Sequence, residues 1–472
     1  MTISSNMSAA RTIAAISTPP GKGGVAVIRI SGADALATAK KIFVPRGERE
    51  IESRPPRTQI YGDILYLGEP VDDGMLTYFP APNSYTGEDT IEISCHGGVL
   101  ITRTVLESAF HAGAFPAERG EFTRRAFVNG KLSLSETEAI GMLLDAESEA
   151  QIRLTRGKSR TRLTEEIEAM RADITSLLSS IWARIDYPEE DLGELSREAV
   201  LCETERIMDR LKRLIGTYRT GRAVAEGIKT VICGKPNVGK STLYNLLLGE
   251  DAAIVTDIPG TTRDVLERSV PLGDVMLRLY DTAGIRAEAS DAVEEIGIAR
   301  SREKLAEAEL ILALFDTGSG LSDADIEIAE QIMRMSAPKI AIITKCDNAD
   351  EHREELKDKL RCMGFSDIME ISAKNRGSDA LTQLAEVINR LFTDESIIIG
   401  DDAIISSARQ HAALLRAEEH LSCAATAYRI GLAEDAASSD IELALGAISE
   451  LDGRAVTEEV VADIFAKFCV GK

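Results

Sequence analysis

A glycine-rich phosphate-binding loop is the clearest chemical signal in this sequence. Residues 234–241 read GKPNVGKS and match the pattern G-x-x-x-x-G-K-[ST] between a predicted strand and a predicted helix. In this context backbone N–H groups surround phosphate oxygens, Lys240 reaches the β- and γ-phosphates, and Ser241 binds Mg²⁺. The loop therefore predicts a nucleoside triphosphate as the ligand. The residues assigned to it are Asn237, Val238, Gly239, Lys240, Ser241 and Thr242.

Three further motifs follow in the order that a GTP hydrolase requires. DTAG (residues 281–284) comes after a predicted strand, where Asp281 can hold Mg²⁺ through water and the N–H of Gly284 can reach the γ-phosphate. In TKCD (residues 344–347), Asp347 can accept hydrogen bonds from guanine N1–H and the 2-amino group, and adenine lacks both donors. SAK (residues 372–374) can contact the guanine carbonyl. The residues assigned to the nucleotide from these motifs are Asp281, Thr282, Ala283, Gly284, Thr344, Lys345, Cys346, Asp347, Ser372, Ala373 and Lys374.

Thr344 departs from the usual pattern, which has Asn at this position. A threonine hydroxyl supplies one contact where a carboxamide supplies two, so we expect weaker guanine binding while Asp347 keeps the specificity.

A switch loop is predicted between the first and second motifs. Residues 256–264 read TDIPGTTRD, and Thr262 is placed to complete the Mg²⁺ shell once a γ-phosphate is bound. The candidate ligand-binding residues of this loop are Thr256, Asp257, Ile258, Pro259, Gly260, Thr261 and Thr262.

The periodicity of the chain predicts the elements that position these motifs. Short β-branched runs alternate with helical pieces from about residue 12 to 125, which predicts a small α/β domain. Helical patterns follow, with a possible capping box at Ser135-x-x-Glu138 and a heptad-like stripe along residues 163–181. Strands and helices alternate over residues 228–395, as in a parallel α/β fold, and the chain is helical again after about residue 400.

Because helical segments flank the second α/β region, we expect an insertion. The predicted domains are residues 1–127 (N-terminal α/β), residues 128–225 and 397–472 (two parts of one helical domain), and residues 226–396 (a Ras-like P-loop G domain).

Composition narrows the class of protein further. Acidic residues number 77 against 54 basic ones, for a net charge of −23, which argues against a chain that binds nucleic acid over its whole surface. The best local candidate for RNA phosphates is a run of basic residues, and a solvated helix face is the alternative. That run contains Arg153, Arg156, Lys158, Arg160 and Arg162.

The cysteines and the apolar runs indicate in which cellular compartment the protein is expected. The seven cysteines are scattered and nowhere spaced as C-x-x-C, which is typical of a reducing cytosol and not of a disulfide framework or zinc site. The N-terminus lacks the apolar stretch of a signal peptide, and the longest aliphatic runs are too short to span a bilayer. We expect a cytoplasmic protein without membrane attachment.

The nucleotide motifs resemble those of bacterial Era-like GTPases, and the flanking regions resemble the MnmE (TrmE) family of tRNA-modification GTPases. The flanking motifs that carry this resemblance are TPPGKGG (18–24), PNSYTGED (82–89), HGG (96–98), NGKL (129–132) and FCVGK (468–472). The resemblance covers essentially the whole chain. It implies an N-terminal domain that binds a formyl-tetrahydrofolate and mediates homodimerisation, with a discontinuous helical domain carrying an inserted G domain.

The family resemblance also implies a reaction and its partners. Together with an FAD-dependent flavoprotein of the MnmG type, the family adds a (carboxymethyl)aminomethyl-type group to carbon 5 of the wobble uridine in certain tRNAs. It implies GTP hydrolysis stimulated by K⁺ in place of an arginine finger, because a cation near the β- and γ-phosphates neutralises developing charge. The implied K⁺ ligands are Asn237, Thr256, the backbone carbonyl of Ile258, and Thr261, and those of Mg²⁺ are Ser241 and Thr262.

Further site residues follow from the same resemblance. Glu294 is assigned to orient the attacking water, with Glu295 as an alternative because this chain carries one residue more than usual before Val293. A solvated helix carboxylate remains the other interpretation. Folate contacts are assigned to Arg29, Glu92, Lys131 and Lys472, which taken alone would be ordinary salt-bridge residues.

Two residues keep open interpretations. Cys469 is a candidate nucleophile or thiol-transfer group in the modification, or else a small buried hydrophobic residue. His96 is a possible metal ligand or base, although a structural role in a turn is the preferred interpretation.

Two other classes of function compete with the tRNA-modifying enzyme. One is a ribosome-assembly GTPase of the Era or Der kind. The Cys469 tail and the folate-type N-terminal region argue against this alternative. The other is a folate-binding scaffold whose GTPase times partner release. Analysis of the wobble uridine in a Cys469 variant distinguishes the scaffold from the enzyme.

Overall fold

The computed structural model describes residues 11–47, 50–156, 158–186, 196–248, 267–280, 305–346, 353–371, 378–432, 434–454 and 457–471. The chain forms two compact units. The first combines Met1–Leu144 with Gly446–Lys472, and the second is Asp145–Leu445.

Helices and strands alternate along the described chain. The strands are β1 Ile13–Ile16, β2 Val25–Ser31, β3 Phe43–Pro45, β4 Gln59–Tyr66, β5 Glu69–Phe79, β6 Thr90–His96, β7 Phe115–Pro116, β8 Ile228–Cys233, β9 Glu267–Leu272, β10 Val275–Tyr280, β11 Leu310–Asp316, β12 Lys339–Thr344 and β13 Asp367–Ile371. The helices are α1 Ala35–Ile42, α2 Val99–His111, α3 Glu121–Val128, α4 Leu134–Leu144, α5 Glu149–Thr155, α6 Lys158–Asp186, α7 Arg197–Gly216, α8 Tyr218–Ala225, α9 Lys240–Leu248, α10 Asp323–Met333, α11 Arg353–Cys362, α12 Ser378–Phe392, α13 Ala408–Ile430, α14 Glu434–Asp452 and α15 Glu458–Ala466. Short 3₁₀ turns cover Ile51–Ser53 and Thr317–Ser319.

The first unit is built on a mainly antiparallel sheet with the strand order β3-β4-β5-β6-β2-β1-β7. Side chains alternate between its two faces, so Ile28 and Ile30 are fully buried beneath α1 and α2 while Arg29 points to the other face. This arrangement confirms the predicted N-terminal α/β region.

The start of α4 corrects one prediction. The capping box is formed by Ser133 and Glu136, whose backbone N–H groups bond each other's side chains at 2.8 and 3.2 Å. Ser135 instead donates its hydroxyl to the carbonyl of Leu451 at 2.6 Å. The sequence contains overlapping S-x-x-E patterns here, and the chain enters the helix two residues earlier than the predicted box requires.

The end of the chain returns to the first unit. Val470 forms an isolated antiparallel bridge with Arg119, and the N–H of Gly120 donates to the carbonyl of Cys469 at 3.3 Å. Gly471 has a left-handed φ of 99°, and a Cβ there would lie 2.1 Å from the carbonyl oxygen of Ile16. Only glycine fits this approach, so the penultimate residue fixes the tail against β1.

The second unit contains a mainly parallel sheet with the order β13-β12-β11-β8-β10-β9. Strand β11 is buried on both faces: Leu312 and Leu314 pack with α9 and α12, while Ile311 and Phe315 pack with α10 and α11. A continuous apolar strand is what a parallel sheet covered by helices requires. The structure therefore confirms the predicted inserted α/β region.

Helices from both sides of that insertion pack together. The buried stripe of α6 includes Ile167, Met170, Ile174, Leu177 and Ile181, as the periodicity predicted. Helix α7 packs against both α6 and α13, and the rings of Tyr218 and His411 stack with centroids 4.1 Å apart. These contacts confirm a discontinuous helical region. Among the described helices, none is both long enough and apolar enough to cross a bilayer.

Candidate functional site

The phosphate-binding loop connects the end of β8 to the start of α9, as predicted. Its backbone turns through left-handed conformations, with φ values of 147° at Gly234, 61° at Asn237 and 109° at Gly239. A Cβ on Gly234 would lie 2.6 Å from the carbonyl oxygen of Leu314, so glycine is required for this close approach to β11. The loop ends at a helix N-terminus, where backbone N–H groups and the helix dipole favour phosphate.

The side chain of Lys240 folds back over this loop. Its Nζ donates to the carbonyl oxygens of Gly234 at 2.7 Å and Lys235 at 2.8 Å. Burial lowers the pKa of Lys240 from its usual value. The ammonium is thus already positioned above the residues that would surround the phosphates.

An ion pair that sequence reasoning missed holds the same loop from outside. Nζ of Lys235 lies 2.8 Å from Oδ2 of Asp325, which is only 2% exposed at the start of α10. Asp325 also accepts from the N–H and hydroxyl of Ser322, at 3.0 and 2.6 Å. Burial opposes ionisation of this carboxyl, but the hydrogen bonds from Lys235 and Ser322 hold its pKa below the usual value. The S-x-x-D pattern at 322–325 is a helix-cap signal that the sequence analysis did not use, and it carries no indication of a contact with residue 235.

The TKC segment meets the phosphate-binding loop directly. The hydroxyl of Thr344 donates to the carbonyl of Val238 at 2.6 Å and approaches that of Phe315 at 3.1 Å. Lys345 adopts a left-handed φ of 60° and pairs with Asp316 at 2.6 Å. Burial raises the pKa of Asp316, but the hydrogen bonds from Lys345 and from the Gly318 N–H, together with the charges of Lys345 and Lys235, outweigh it and the net pKa is lowered. The structure thus brings the first and third nucleotide motifs into contact.

Cys346 completes the described part of this segment. Its carbonyl accepts a hydrogen bond from the guanidinium of Arg353 at 2.7 Å, and its thiol lies 3.3 Å from the carbonyl oxygen of Ile343. These bonds fix the turn that leads toward residue 347.

Several predicted site residues lie outside the described residues, and their roles stay predictions. They are Thr256, Asp257, Ile258, Pro259, Gly260, Thr261 and Thr262 of the switch loop, Asp281, Thr282, Ala283 and Gly284, Glu294 with its alternative Glu295, Asp347, Ser372, Ala373 and Lys374, and Lys472.

Two of the predicted folate residues form a direct pair. Arg29 and Glu92 lie opposite each other on β2 and β6, and Nε and Nη2 of Arg29 donate to one Glu92 oxygen at 2.9 and 2.8 Å. The Arg29 guanidinium lies 5.4 Å from the ring centre of Tyr85 and 5.5 Å from that of Phe122. A charged pair beside two aromatic rings is suited to a flat, polar ligand. Neither aromatic residue was predicted.

The loop at residues 80–88 lies between the Arg29–Glu92 pair and Lys131 and contacts both Arg29 and Lys131. Nζ of Lys131 donates to the carbonyl of Pro82 at 3.1 Å, and Tyr85 belongs to the same loop. Glu88 anchors the loop from inside, because its carboxylate accepts from Arg125 and from Ser31, each at 3.0 Å. Sequence reasoning missed the Arg125 side chain, which is buried and paired with two carboxylates.

Cys469 is exposed, so the buried interpretation of this residue is wrong. Its carbonyl is held by Gly120, two residues before Phe122, which faces Arg29. The tail therefore lies in the same compact unit as the predicted folate residues.

His96 pairs with a carboxylate. Its Nδ1 lies 2.7 Å from Oδ1 of Asp72, and its backbone N–H donates to Oδ2 at 2.8 Å. The hydrogen bond with Asp72 raises the pKa of His96. Ligand atoms of Asp72, Asp73 and His96 lie within 4.8 Å of one another, but Asp73 already accepts from the hydroxyl of Tyr61 at 2.6 Å. These contacts favour the structural interpretation of His96.

The run of basic residues at 153–162 is extensively paired with acidic side chains. Arg153 pairs with Asp274, Lys158 lies 3.4 Å from Asp401, and Arg162 lies 3.4 Å from Asp402. The pairing reduces the positive charge that this segment offers to phosphates and favours the solvated-face interpretation.

Comparison with known proteins gives consistent similarities along the chain. A family model described as the N-terminus of the GTP-binding protein TrmE matches residues 12–131, and a model of the MnmE helical domain matches residues 134–469. A tRNA modification GTPase MnmE of Symbiobacterium thermophilum is 39% identical over 464 residues, covering 98% of this chain and 99% of the relative. The corresponding protein of Thermotoga petrophila is 38% identical over 462 residues, covering 98% and 100%.

Among solved structures, Era in complex with MgGDPNP and nucleotides of 16S ribosomal RNA is 29% identical. It covers 40% of this chain and 65% of its own, with a TM-score of 0.29.

Proposed function

Because this chain belongs to the MnmE family of tRNA modification GTPases, we propose that its GTP hydrolysis drives modification of carbon 5 of the wobble uridine in certain tRNAs. The group added is of the (carboxymethyl)aminomethyl type. The observation that carries the proposal is the continuity of the family match, which includes the N-terminal and helical regions and not the nucleotide motifs alone. The matches of both regions argue against the alternative of a ribosome-assembly GTPase.

The residues around the phosphate-binding loop support the hydrolytic step. Lys240 can exchange its two carbonyl partners for the β- and γ-phosphates without moving far, because it already lies above the loop. Ser241 is exposed in the first turn of α9 and, with Thr262, is proposed to hold Mg²⁺. Glu294, or its neighbour Glu295, is proposed to orient the attacking water, and Asp347 to select guanine.

A monovalent cation site is proposed beside the loop. Asn237 is exposed in a left-handed turn, where a carboxamide oxygen suits a hard cation such as K⁺. Thr256, the carbonyl of Ile258, and Thr261 are the other proposed ligands. When bound, the ion would supply positive charge between the β- and γ-phosphates.

A one-carbon folate, such as 5-formyl-tetrahydrofolate, is proposed to bind the first unit. Glu92 can accept from pterin N–H groups, and Lys131 and Lys472 suit the glutamate tail. The paired Arg29 and the nearby rings of Tyr85 and Phe122 support a flat ligand at this position. Since the Cys469 tail is tied to Gly120, we propose that Cys469 reacts in the same unit.

The proposed partners come from the family membership, and the charge of the chain is compatible with them. A net charge of −23 and the pairing of the basic run support a model in which an FAD-dependent MnmG-type flavoprotein supplies most of the tRNA contact. We also propose homodimerisation, a cytoplasmic location, and the domain boundaries at 127/128, 225/226 and 396/397.

The first test is GTP hydrolysis by the purified full chain in KCl and in NaCl at equal ionic strength. Strong stimulation by K⁺ supports the cation site, and equal slow rates in both salts argue against it. The second test is mass spectrometry of tRNA nucleosides from cells that lack this protein. Loss of the wobble-uridine modification, restored by the full chain, supports the proposal, whereas intact modification in those cells refutes it.

A further inference from the structure

The hydroxyl group of Thr344 has a single proton, and the structure shows where that proton goes. Thr344 ends β12 and is 7% exposed. Its Oγ1 lies 2.6 Å from the carbonyl oxygen of Val238 and 3.1 Å from that of Phe315. Both neighbours are acceptors without a proton of their own, so the hydroxyl must be the donor.

Because the Thr344 hydroxyl is already a donor to the loop, its ability to recognise guanine is limited. The N7 and O6 atoms of guanine are hydrogen-bond acceptors. Once the Thr344 hydroxyl donates its hydrogen bond to the Val238 carbonyl, it offers only lone pairs to the base, and these cannot bond N7 or O6. An asparagine carboxamide carries two N–H donors and could serve the loop and the base together.

The hydrogen bond from Thr344 to Val238 instead orients the part of the loop that would contact the phosphates. The Val238 carbonyl and the Gly239 N–H belong to one planar trans peptide and point in opposite directions. Holding the carbonyl toward Thr344 therefore turns the Gly239 N–H away from β12, as in loops that present N–H groups to phosphate. A Cβ on Gly239 would lie 3.6 Å from Thr344, so the threonine also packs against this peptide.

The backbone around Thr344 is itself fixed. The hydroxyl of Thr317 lies 3.2 Å from the carbonyl of Lys345 and 3.4 Å from that of Thr344. The side chain thus projects from a rigid strand end onto a loop that contains a left-handed non-glycine residue.

We propose that Thr344 is a positioning residue for the phosphate-binding loop and does not hydrogen-bond guanine. The inference rests on the proposed GTP site and identifies which part of the nucleotide this residue affects. Recognition of guanine by the TKCD motif then depends on Asp347, and loss of the Thr344 hydroxyl weakens binding of phosphates.

Equilibrium binding of the full chain to GDP, 7-deaza-GDP and GMP tests this proposal. The 7-deaza analogue lacks the N7 acceptor, and GMP lacks the β-phosphate. We expect the unmodified protein to bind GDP and 7-deaza-GDP equally, because the Thr344 hydroxyl has no proton left to donate to N7. Thr344→Val should weaken GDP binding about tenfold, since it removes one hydrogen bond to a buried carbonyl. The same change should have little effect on GMP, and Thr344→Ser should retain GDP affinity.

Two results would overturn the inference. One is a clear preference of the unmodified protein for GDP over 7-deaza-GDP, a comparison that needs no variant and no refolding control. The other is an equal loss of GDP and GMP binding in Thr344→Val with restoration in Thr344→Ser. Failure of the unmodified protein to bind any guanine nucleotide would count against the proposed function itself, so the two failures are distinguishable.

Discussion

Nζ of Lys235 lies 2.8 Å from Oδ2 of Asp325, and the backbone carbonyl of Lys235 accepts a hydrogen bond from Lys240. One residue of the phosphate-binding loop thus links the lysine that meets the phosphates to a buried carboxylate at the start of α10. Because the loop contains left-handed turns, it needs such external contacts to keep one conformation. The Thr344–Val238 bond is the corresponding contact on the other side.

Lys235→Met should loosen both the phosphate-binding loop and the start of α10, which the Lys235–Asp325 ion pair joins. Asp325 would remain buried with Ser322 as a partner but without its counter-charge, a change that costs about 3 kcal/mol in buried pairs. We expect amide hydrogen exchange in α10 to accelerate about a hundredfold and GDP binding to weaken. Lys359→Met is the matched control, because Lys359 pairs with Glu355 on an exposed surface where both side chains are over half exposed. Identical behaviour of the two variants would show that the Lys235 pair does not hold the loop.

Much of the candidate site was predictable because strand, loop and helix follow one another in the sequence. The loop at 234–241 lies between β8 and α9 as its spacing predicts, and the stripe of α6 is buried as its period predicts. Local patterns of this kind can be predicted because they depend only on residues that are close together in the sequence.

Contacts between distant segments were not predictable. Thr344 and Val238 are 106 residues apart, and Lys235 and Asp325 are 90 apart. Their pairing depends on the order of strands in the sheet, which places β11 between β8 and β12 and which no local spacing encodes. The error in the capping box of α4 has a different cause, since two overlapping patterns fit and only tertiary contacts of Ser135 select between them.

The pairing of His96 with Asp72 predicts a pH dependence. The hydrogen bond raises the folded-state pKa of His96, so its stabilisation is fully present below the unfolded pKa of histidine. It is lost as the pH rises through the folded value. In an NMR titration of the histidine rings, we expect His96 to titrate above its usual pKa of 6.5 and to return toward it in Asp72→Asn. Assignment by a His96→Gln variant separates it from the other four histidines. An unchanged midpoint in Asp72→Asn would contradict the assignment.

Asn237→Gly should remove the proposed K⁺ ligand while keeping the left-handed backbone, which glycine adopts without strain. We expect stimulation of GTP hydrolysis by KCl over NaCl to fall about tenfold or more, with little change of the rate in NaCl. Asn245→Ala, an exposed asparagine on α9, is the control that leaves stimulation intact. Full stimulation in Asn237→Gly would place the cation elsewhere.

Gly471→Ala should detach the tail from β1. The added Cβ would meet the carbonyl of Ile16 at 2.1 Å, and the left-handed φ of 99° disfavours alanine. We expect faster hydrogen exchange at the Gly120 amide, which bonds Cys469, and loss of wobble-uridine modification without loss of GTP hydrolysis. Gly446→Ala tests the specificity of this effect, because a Cβ at Gly446 meets nothing within 4 Å. Normal exchange at Gly120 in Gly471→Ala would show that the tail tolerates the substitution.

Cys469→Ser separates modification chemistry from GTP turnover. Oxygen replaces sulfur with almost no change of size on an exposed side chain, so the fold and the GTPase rate should be unaffected. We expect tRNA from cells carrying this variant to lack the wobble-uridine modification when its nucleosides are analysed by mass spectrometry. Cys423→Ser, at another exposed cysteine on α13, should restore the modification in full. If Cys469→Ser also restores it, the thiol takes no part in the reaction and the tail serves only to complete the first unit.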